Sequence, residues 1–107
     1  MKILTFDVED WFHILDNEGT QSPDLWDKFP SRAEEGLERI LEFLSSQNQK
    51  ATFFILGWMA EKYPELIKKI DRCGHHIASH SYAHQLVYQQ SQSAFREDLY
   101  RSKMVLE

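Results

Sequence analysis

Residues 51–79 read ATFFILGWMAEKYPELIKKIDRCGHHIAS and decide the fold, because they place helical sequence between two strand-like segments. The continuous apolar run at residues 51–56 is typical of a buried strand in a parallel sheet. Residues 58–63 fit a short helical turn, and a proline then opens a second helix over residues 65–72. Residues 75–79 form the next short strand. A strand, crossover helices and another strand predict two parallel strands of one sheet.

The flanking sequence extends the same alternation in both directions. Residues 2–7 are mostly apolar and rich in residues that favour strands, and they end on a carboxylate. After a long polar and aromatic loop, Ser31 and Glu34 fit a capping box that starts an amphipathic helix running to about Ser46. Residues 93–106 predict a last helix, mostly polar. The apolar residues that we expect on one face of that helix are Phe95, Leu99 and Leu106.

These elements together predict the α/β class, with parallel strands and crossover helices. The last predicted helix resembles a crossover that leads towards a further strand, and no such strand follows before Glu107. We therefore expect residues 1–107 to be the N-terminal portion of a larger domain.

Composition excludes several classes of function. Apolar residues make up 42% and charged residues 27% of the chain, a balance typical of a globular protein. The net charge of −5 argues against a nucleic-acid partner, which requires a clustered basic surface. The single cysteine excludes an intrachain disulfide and a multi-cysteine zinc site. Without an apolar run long enough for a signal peptide or a membrane span, the expectation is a cytoplasmic protein.

Polar side chains that can bind a metal follow two of the predicted strands. Asp7, Glu9 and Asp10 follow the first strand, and His80 and His84 follow the third. Parallel strands bring their carboxyl ends to one edge of a sheet, where the chemistry of α/β folds collects. Two imidazoles and one carboxylate make an open-sided site for a divalent metal ion, and a further carboxylate can act as a base. The spacing therefore predicts a metal centre at this edge.

Three segments carry a resemblance to a known family. LTFDVEDW at residues 4–11, ATFFILGWMAEKYPELIKKI at residues 51–70 and CGHHIASHSYAH at residues 73–84 resemble the polysaccharide deacetylases of the NodB-homology type. The third segment is the most specific, since it matches the family motif His-Ser/Thr-x-x-His.

The resemblance implies a deformed (β/α) barrel of seven or eight units. It also implies a metal-dependent hydrolase that removes acetyl groups from an N-acetylated carbohydrate. Carried over by position, Asp7 matches the general base, and His80 and His84 match metal ligands. The expected metal is Zn²⁺, with Co²⁺, Ni²⁺ or Mn²⁺ as alternatives.

The sequence departs from the family pattern in two places. The commonest pattern has two adjacent aspartates, base and then ligand, but Val8 stands where the second would be. Glu9 and Asp10 are the two candidates for the third metal ligand. Asp10 is slightly favoured because its shorter side chain matches the family's usual ligand type. The family's later motifs, an arginine of the substrate groove and a late acid histidine, have no counterpart before Glu107, so we expect weak or no turnover by these residues alone.

Two alternative functions stay open on this reading. One is an amidohydrolase of the same fold that acts on a non-sugar C–N bond. The other is a non-catalytic fragment that binds a metal or a glycan. The unpaired outer edges of the first and third strands also predict self-association.

Several residues near the motifs have their own expectations. Trp11 adjoins the acids and is a candidate to stack on a sugar ring, although large aromatic residues also pack in cores. We expect His13 at the surface of its loop, and Ser81 as a hydrogen-bonding member of its motif. His75 and His76 flank a strand and are expected to be structural.

Overall fold

A three-stranded parallel sheet lies at the centre of the protein, in a computed structural model that describes residues 1–14 and 18–107. The strands are β1, Thr5–Val8, β2, Thr52–Ile55, and β3, His76–Ser79, and their order in the sheet is β1-β2-β3. All three predicted strands are present, and both pairings are parallel. Residues 15–17 of the predicted long loop lie outside the described residues.

In residues 1–14 and 18–107, four α-helices connect and flank the strands. They are α1, Ala33–Ser46, α2, Gly57–Lys62, α3, Pro64–Arg72, and α4, Gln92–Leu106. Three short 3₁₀ helices, Trp11–His13, Pro23–Lys28 and Val87–Gln89, lie in the connecting segments. None of the helices in the described part of the chain is both long enough and apolar enough to cross a membrane.

The start of α1 differs from the predicted capping box. The helix begins at Ala33, and the carboxylate of Asp10 accepts hydrogen bonds from the backbone N–H groups of Arg32 and Ala33 at 3.1 and 3.3 Å. The Ser31 hydroxyl also donates to Asp10. A residue 22 positions upstream therefore supplies the negative charge that stabilises this helix N-terminus.

One apolar core joins the first two strands to the first three helices. The fully buried residues Phe53 and Ile55 of β2 contribute to it together with Met59 of α2 and Ile70 of α3. The amphipathic face predicted for α1 packs against it through Leu37, Leu41 and Leu44. The central strand therefore buries Phe53 and Ile55, whereas Thr52 and Phe54 on its other face are only partly buried, unlike the strand buried on both faces that its unbroken apolar sequence predicts.

Helix α4 packs partly through the residues that the sequence predicts. Leu106 packs against the apolar core together with Val105, but Leu99 is 44% exposed. Ser102 is fully buried instead. Its hydroxyl lies 2.6 Å from the Ser79 hydroxyl and donates to the backbone carbonyl of Ser81 at 3.2 Å. The predicted face is therefore wrong at Leu99, because α4 also contacts β3 and the loop after it through polar atoms.

Candidate metal centre

The segments that follow β1 and β3 bring three potential metal ligands together. One ligand atom each from Glu9, His80 and His84 lies within 4.8 Å of the others. Oε2 of Glu9 is 3.3 Å from Nε2 of His84 and 4.0 Å from Nε2 of His80. The segments that follow the outer strands β1 and β3 thus place these side chains at one edge of the sheet, beside the end of β2.

The contact of Nδ1 of His84 indicates which ring nitrogen faces Glu9. Nδ1 of His84 lies 2.9 Å from the backbone carbonyl oxygen of His13. A carbonyl oxygen only accepts, so Nδ1 carries a proton, and the neutral tautomer that can bind a metal presents the lone pair of Nε2 towards Glu9. In that tautomer two electron-rich atoms face each other at 3.3 Å, an arrangement that a cation between them would stabilise.

The carboxylate of Glu9 also favours a cation at this position. Oε2 is buried and has no hydrogen-bond partner among residues 1–14 and 18–107. An uncompensated buried carboxylate oxygen destabilises a protein, and a bound cation would compensate it. Two imidazole nitrogens with one carboxylate oxygen fit the ligand preference of Zn²⁺ and similar divalent metals.

Asp7 lies beside the cluster. Its Oδ2 is 3.8 Å from Nε2 of His80, and its side chain is 54% exposed. The carboxylate therefore reaches the edge of the cluster while staying in contact with solvent. This placement suits a base that acts on a water molecule better than it suits a closed structural ligand.

Asp10, the ligand favoured by the sequence, is not brought to the histidines. Its residue is only 5% exposed, and its oxygens accept hydrogen bonds from backbone N–H groups at the start of α1 and from Trp11 at 3.0 Å. Of the two alternatives, the structure therefore places Glu9, and not Asp10, beside the histidines. The reason is that the carboxylate of Asp10 is engaged by the start of α1.

The loop that carries both histidines is held from several sides. The Asp98 carboxylate of α4 accepts the backbone N–H groups of Tyr82 and Ala83 at 2.8 and 3.0 Å. Ser81 and His84 have positive φ angles of 61° and 55°, which are uncommon in residues other than glycine. The Ser81 hydroxyl accepts the N–H of His84 at 3.0 Å, as expected for a hydrogen-bonding member of the motif. A strained loop fixed in this way is typical of a functional site.

Gly57 lets this loop approach the end of β2. Its N–H donates to the carbonyl of Ser81 at 2.8 Å. A Cβ atom at this position would lie 2.6 Å from Cδ2 and 3.1 Å from Cα of Tyr82. Only glycine therefore allows α2 and the histidine loop to lie so close together.

His13 was expected at the surface, but it is fully buried. Its ring packs against Trp26 and Trp58 at centroid distances of 4.3 and 5.1 Å. Its Nδ1 accepts the N–H of Asp10 at 2.7 Å, and burial lowers its pKa to about 4. The aromatic residues around it were visible in the sequence, but their convergence on one ring was not. His75, expected to be structural, is buried, and its Nδ1 accepts the N–H of Ala51 at 3.2 Å, whereas His76 is exposed.

Trp11 lies next to the cluster and is half-exposed. Its indole N–H donates to the Pro30 carbonyl at 3.0 Å, and its ring packs edge-on against Phe29. It lines a groove of about 730 Å³ between β1 and α1, together with Asp7 and Glu9. His80 and His84 are not part of that lining, so the groove adjoins the candidate metal centre and shares Glu9 with it.

Comparisons with known proteins identify the family. The model of the polysaccharide deacetylase family matches residues 3–107. A peptidoglycan-N-acetylglucosamine deacetylase of Bacillus cereus is 37% identical over 68 residues, which are 64% of this chain and 25% of that protein. A solved chain from Mycobacterium smegmatis, described as a polysaccharide deacetylase, is 32% identical with a TM-score of 0.80, over 98% of this chain and 37% of its own length.

A second similar solved structure is that of BA3943, a CE4 family pseudoenzyme from Bacillus anthracis. It is 26% identical with a TM-score of 0.72, and the match covers 98% of this chain and 30% of that one. The chain thus spans about a quarter to two fifths of the length of these relatives. The predicted α/β class is confirmed, with parallel strands and helices that match part of the barrel of these proteins. The chain belongs to the polysaccharide deacetylase family.

Proposed function

We propose that this chain forms the metal-binding part of a hydrolase that removes N-acetyl groups from a carbohydrate. The observation that carries the proposal is the cluster of Glu9, His80 and His84 at the edge of the sheet, with a carboxylate oxygen and an imidazole lone pair facing each other. The name of the Bacillus cereus relative, a peptidoglycan-N-acetylglucosamine deacetylase, supports an N-acetylated sugar as the substrate class.

The three clustered side chains would hold the metal, with Zn²⁺ as the first choice and Co²⁺, Ni²⁺ or Mn²⁺ as alternatives. When bound, such an ion supplies Lewis-acid chemistry, which makes water more acidic and polarises an amide carbonyl. Three protein ligands leave room for water and substrate at an open side. The half-buried histidines keep that side accessible.

Asp7 is the proposed general base. Its Oδ2, 3.8 Å from Nε2 of His80, lies close enough to accept a proton from a water molecule at the cluster. Because its side chain is 54% exposed, the proton can then leave to solvent. The loss of that proton makes the water oxygen a nucleophile towards the acetamide carbon.

Trp11 is the proposed contact for the sugar. The indole is anchored by its hydrogen bond to Pro30 while 44% of the residue stays exposed. An anchored, exposed aromatic ring provides a flat apolar surface for a sugar ring at little loss of side-chain entropy. Trp11→Ala should therefore weaken binding of N-acetylglucosamine oligomers and leave metal affinity unchanged.

The second candidate function is non-catalytic binding of a metal or glycan by the same cluster. Two observations favour it: the similarity to a CE4 family pseudoenzyme, and Val8 at the position of the family's second aspartate. The two candidates share the metal centre and differ in whether acetate is released.

Calorimetry and an acetate assay together test both candidates. Chelator-treated protein should take up one equivalent of Zn²⁺ near neutral pH, and His80→Ala should abolish this uptake. Zinc-loaded protein is then incubated with N-acetylglucosamine oligomers, with Asp7→Asn as the matched variant that keeps the ligands. Chelator-sensitive acetate release that falls roughly 10²–10⁴-fold in Asp7→Asn supports the deacetylase. Because weak or no turnover is expected of residues 1–107 alone, zinc uptake without acetate release agrees with both candidates, whereas no zinc uptake refutes both.

A further inference from the structure

We propose that His13 is a positioning residue for His84: its buried ring fixes the turn whose backbone carbonyl oxygen holds Nδ1 of His84 and aims Nε2 at Glu9. This inference rests on the proposed metal centre. It assigns a role to a histidine that is neither a ligand nor a base.

The ring of His13 closes the turn that follows Glu9. The backbone N–H of His13 donates to the carbonyl of Asp10 at 3.0 Å, and the backbone N–H of Asp10 donates to Nδ1 of His13 at 2.7 Å. The turn is thus locked by two bonds in opposite directions. Asp10 itself is fixed by its bonds to the start of α1. The His13 carbonyl therefore has a defined direction relative to the sheet.

The chemistry of the pocket explains why the residue is an imidazole. Phe12, Trp26 and Trp58 surround the ring, at centroid distances of 4.5, 4.3 and 5.1 Å. Because Nδ1 accepts a hydrogen bond, the proton of the neutral ring is on Nε2, which is buried without a partner among the described residues. A phenylalanine would fill this pocket without the unpaired donor. What only the imidazole adds is the acceptor for Asp10.

The direction of the His13 carbonyl matters for the ligand. It lies 2.9 Å from Nδ1 of His84, and this bond sets which ring nitrogen of His84 carries the proton. Residues that orient a ligating histidine in this way contribute about 10–100-fold to metal affinity. Asp98 holds the backbone of the same loop from the α4 side, whereas the carbonyl of His13 lies within hydrogen-bond distance of the ring itself.

The test compares two substitutions at His13 with the same substitutions at His75. His13→Phe keeps a ring in the pocket and removes the acceptor, whereas His13→Asn keeps an acceptor and reduces the volume. His75 is the matched control, because it is also buried and its Nδ1 also accepts a backbone N–H. Zinc affinity is measured by calorimetry at a temperature where each variant is folded by circular dichroism.

We expect His13→Phe to weaken zinc binding about 10–100-fold, and His13→Asn to weaken it less. His75→Phe and His75→Asn should lower the melting temperature but leave zinc affinity within about 2-fold, well below the effect of losing a ligand-orienting residue. Unchanged affinity in folded His13→Phe, or an equal loss in His75→Phe, would overturn the inference.

A second readout needs no metal. In chelator-treated protein at mildly alkaline pH, ¹⁵N NMR should show the Nδ1–H form of His84 in the unsubstituted protein and in both His75 variants. His13→Phe, or His13→Asn if the former does not fold, should populate the Nε2–H form. A His84 signal that is unchanged in the folded His13 variants refutes the positioning role. Failure of the unsubstituted protein to bind zinc refutes the proposed function instead.

Discussion

Glu9 is the proposed third metal ligand, whereas its neighbour Asp10 accepts hydrogen bonds at the start of α1. Substituting each in turn therefore separates metal binding from folding stability. The substitution Glu9→Gln removes the negative charge of the carboxylate. Oε2 of that carboxylate has no hydrogen-bond partner among the described residues. Folding stability of chelator-treated protein should therefore not fall, and it should rise by up to about 1–3 kcal/mol because the buried oxygen no longer carries an uncompensated charge. Zinc affinity should fall by more than about 100-fold, beyond the loss expected for a residue that only orients a ligand.

Asp10→Asn should produce the reverse result. The carboxylate accepts N–H groups from Trp11, Arg32 and Ala33 at 3.0–3.3 Å and the hydroxyl of Ser31. Hydrogen bonds to a charged group contribute about 1.5–3 kcal/mol each, and the charge at a helix N-terminus adds about 0.3–1 kcal/mol. An asparagine keeps one acceptor oxygen and turns an NH₂ donor towards the remaining donors. We expect a loss of about 3 kcal/mol, which lowers the melting temperature of a domain of this size by roughly 10–25 °C.

The assay pairs urea unfolding of chelator-treated protein with zinc calorimetry on the same preparations. Asp10→Asn should bind zinc with nearly unchanged affinity at a temperature where it is folded. Folded Asp10→Asn that binds no zinc, together with Glu9→Gln that still binds it, would show that Asp10 is the ligand and that the proposed centre is wrong.

The remaining predictions concern the loop, pH and the strand. Gly57→Ala places a Cβ atom 2.6 Å from Cδ2 of Tyr82, so calorimetry should show weaker zinc binding and urea unfolding a loss of about 1–3 kcal/mol; unchanged values would contradict the close approach. Burial lowers the pKa of His13 to about 4, so the unfolded chain binds the extra proton; the stability of chelator-treated protein should fall by up to about 3 kcal/mol as pH drops from about 6.5 through 4, and His13→Phe should flatten this slope. Val8→Asp combined with Glu9→Gln should not recover zinc binding, because Val8 lies in the apolar core and a carboxylate there is destabilising; recovered binding would refute that placement.

The sheet was predictable because its signals are local. The unbroken apolar run before Gly57 and the glycine after Cys73 mark the ends of elements in the sequence itself, and Gly74 has the positive φ of 78° that its position requires. The first strand was predicted three residues too early, since pairing with β2 begins at Thr5 opposite Thr52. Boundaries depend on the partner strand, which the sequence of one segment does not contain.

The roles of Asp10 and His13 were not predictable in this way. Ser31 and Glu34 fit a local capping box, so nothing near α1 indicated that a distant carboxylate supplies the cap. The burial of His13 likewise depends on Trp26 and Trp58, which reach it from two other segments. Contacts of this kind are decided by tertiary packing, and propensity and spacing carry no signal for them.

Strand geometry explains why Glu9 is the proposed third ligand even though the family pattern points to the position of Val8. Successive side chains of a strand point to opposite faces, so Asp7 and Glu9 share the face of the histidines while Val8 packs in the core. An acid two residues after Asp7 therefore stays on the correct face without a change in register. Glu9 lies one residue beyond Val8, the last residue of β1. Its side chain, longer than that of an aspartate, places Oε2 3.3 Å from Nε2 of His84. Because Glu9 projects to the histidines, Asp10 can face α1 and cap it, so the two adjacent acids separate the proposed metal centre from the stabilisation of the fold.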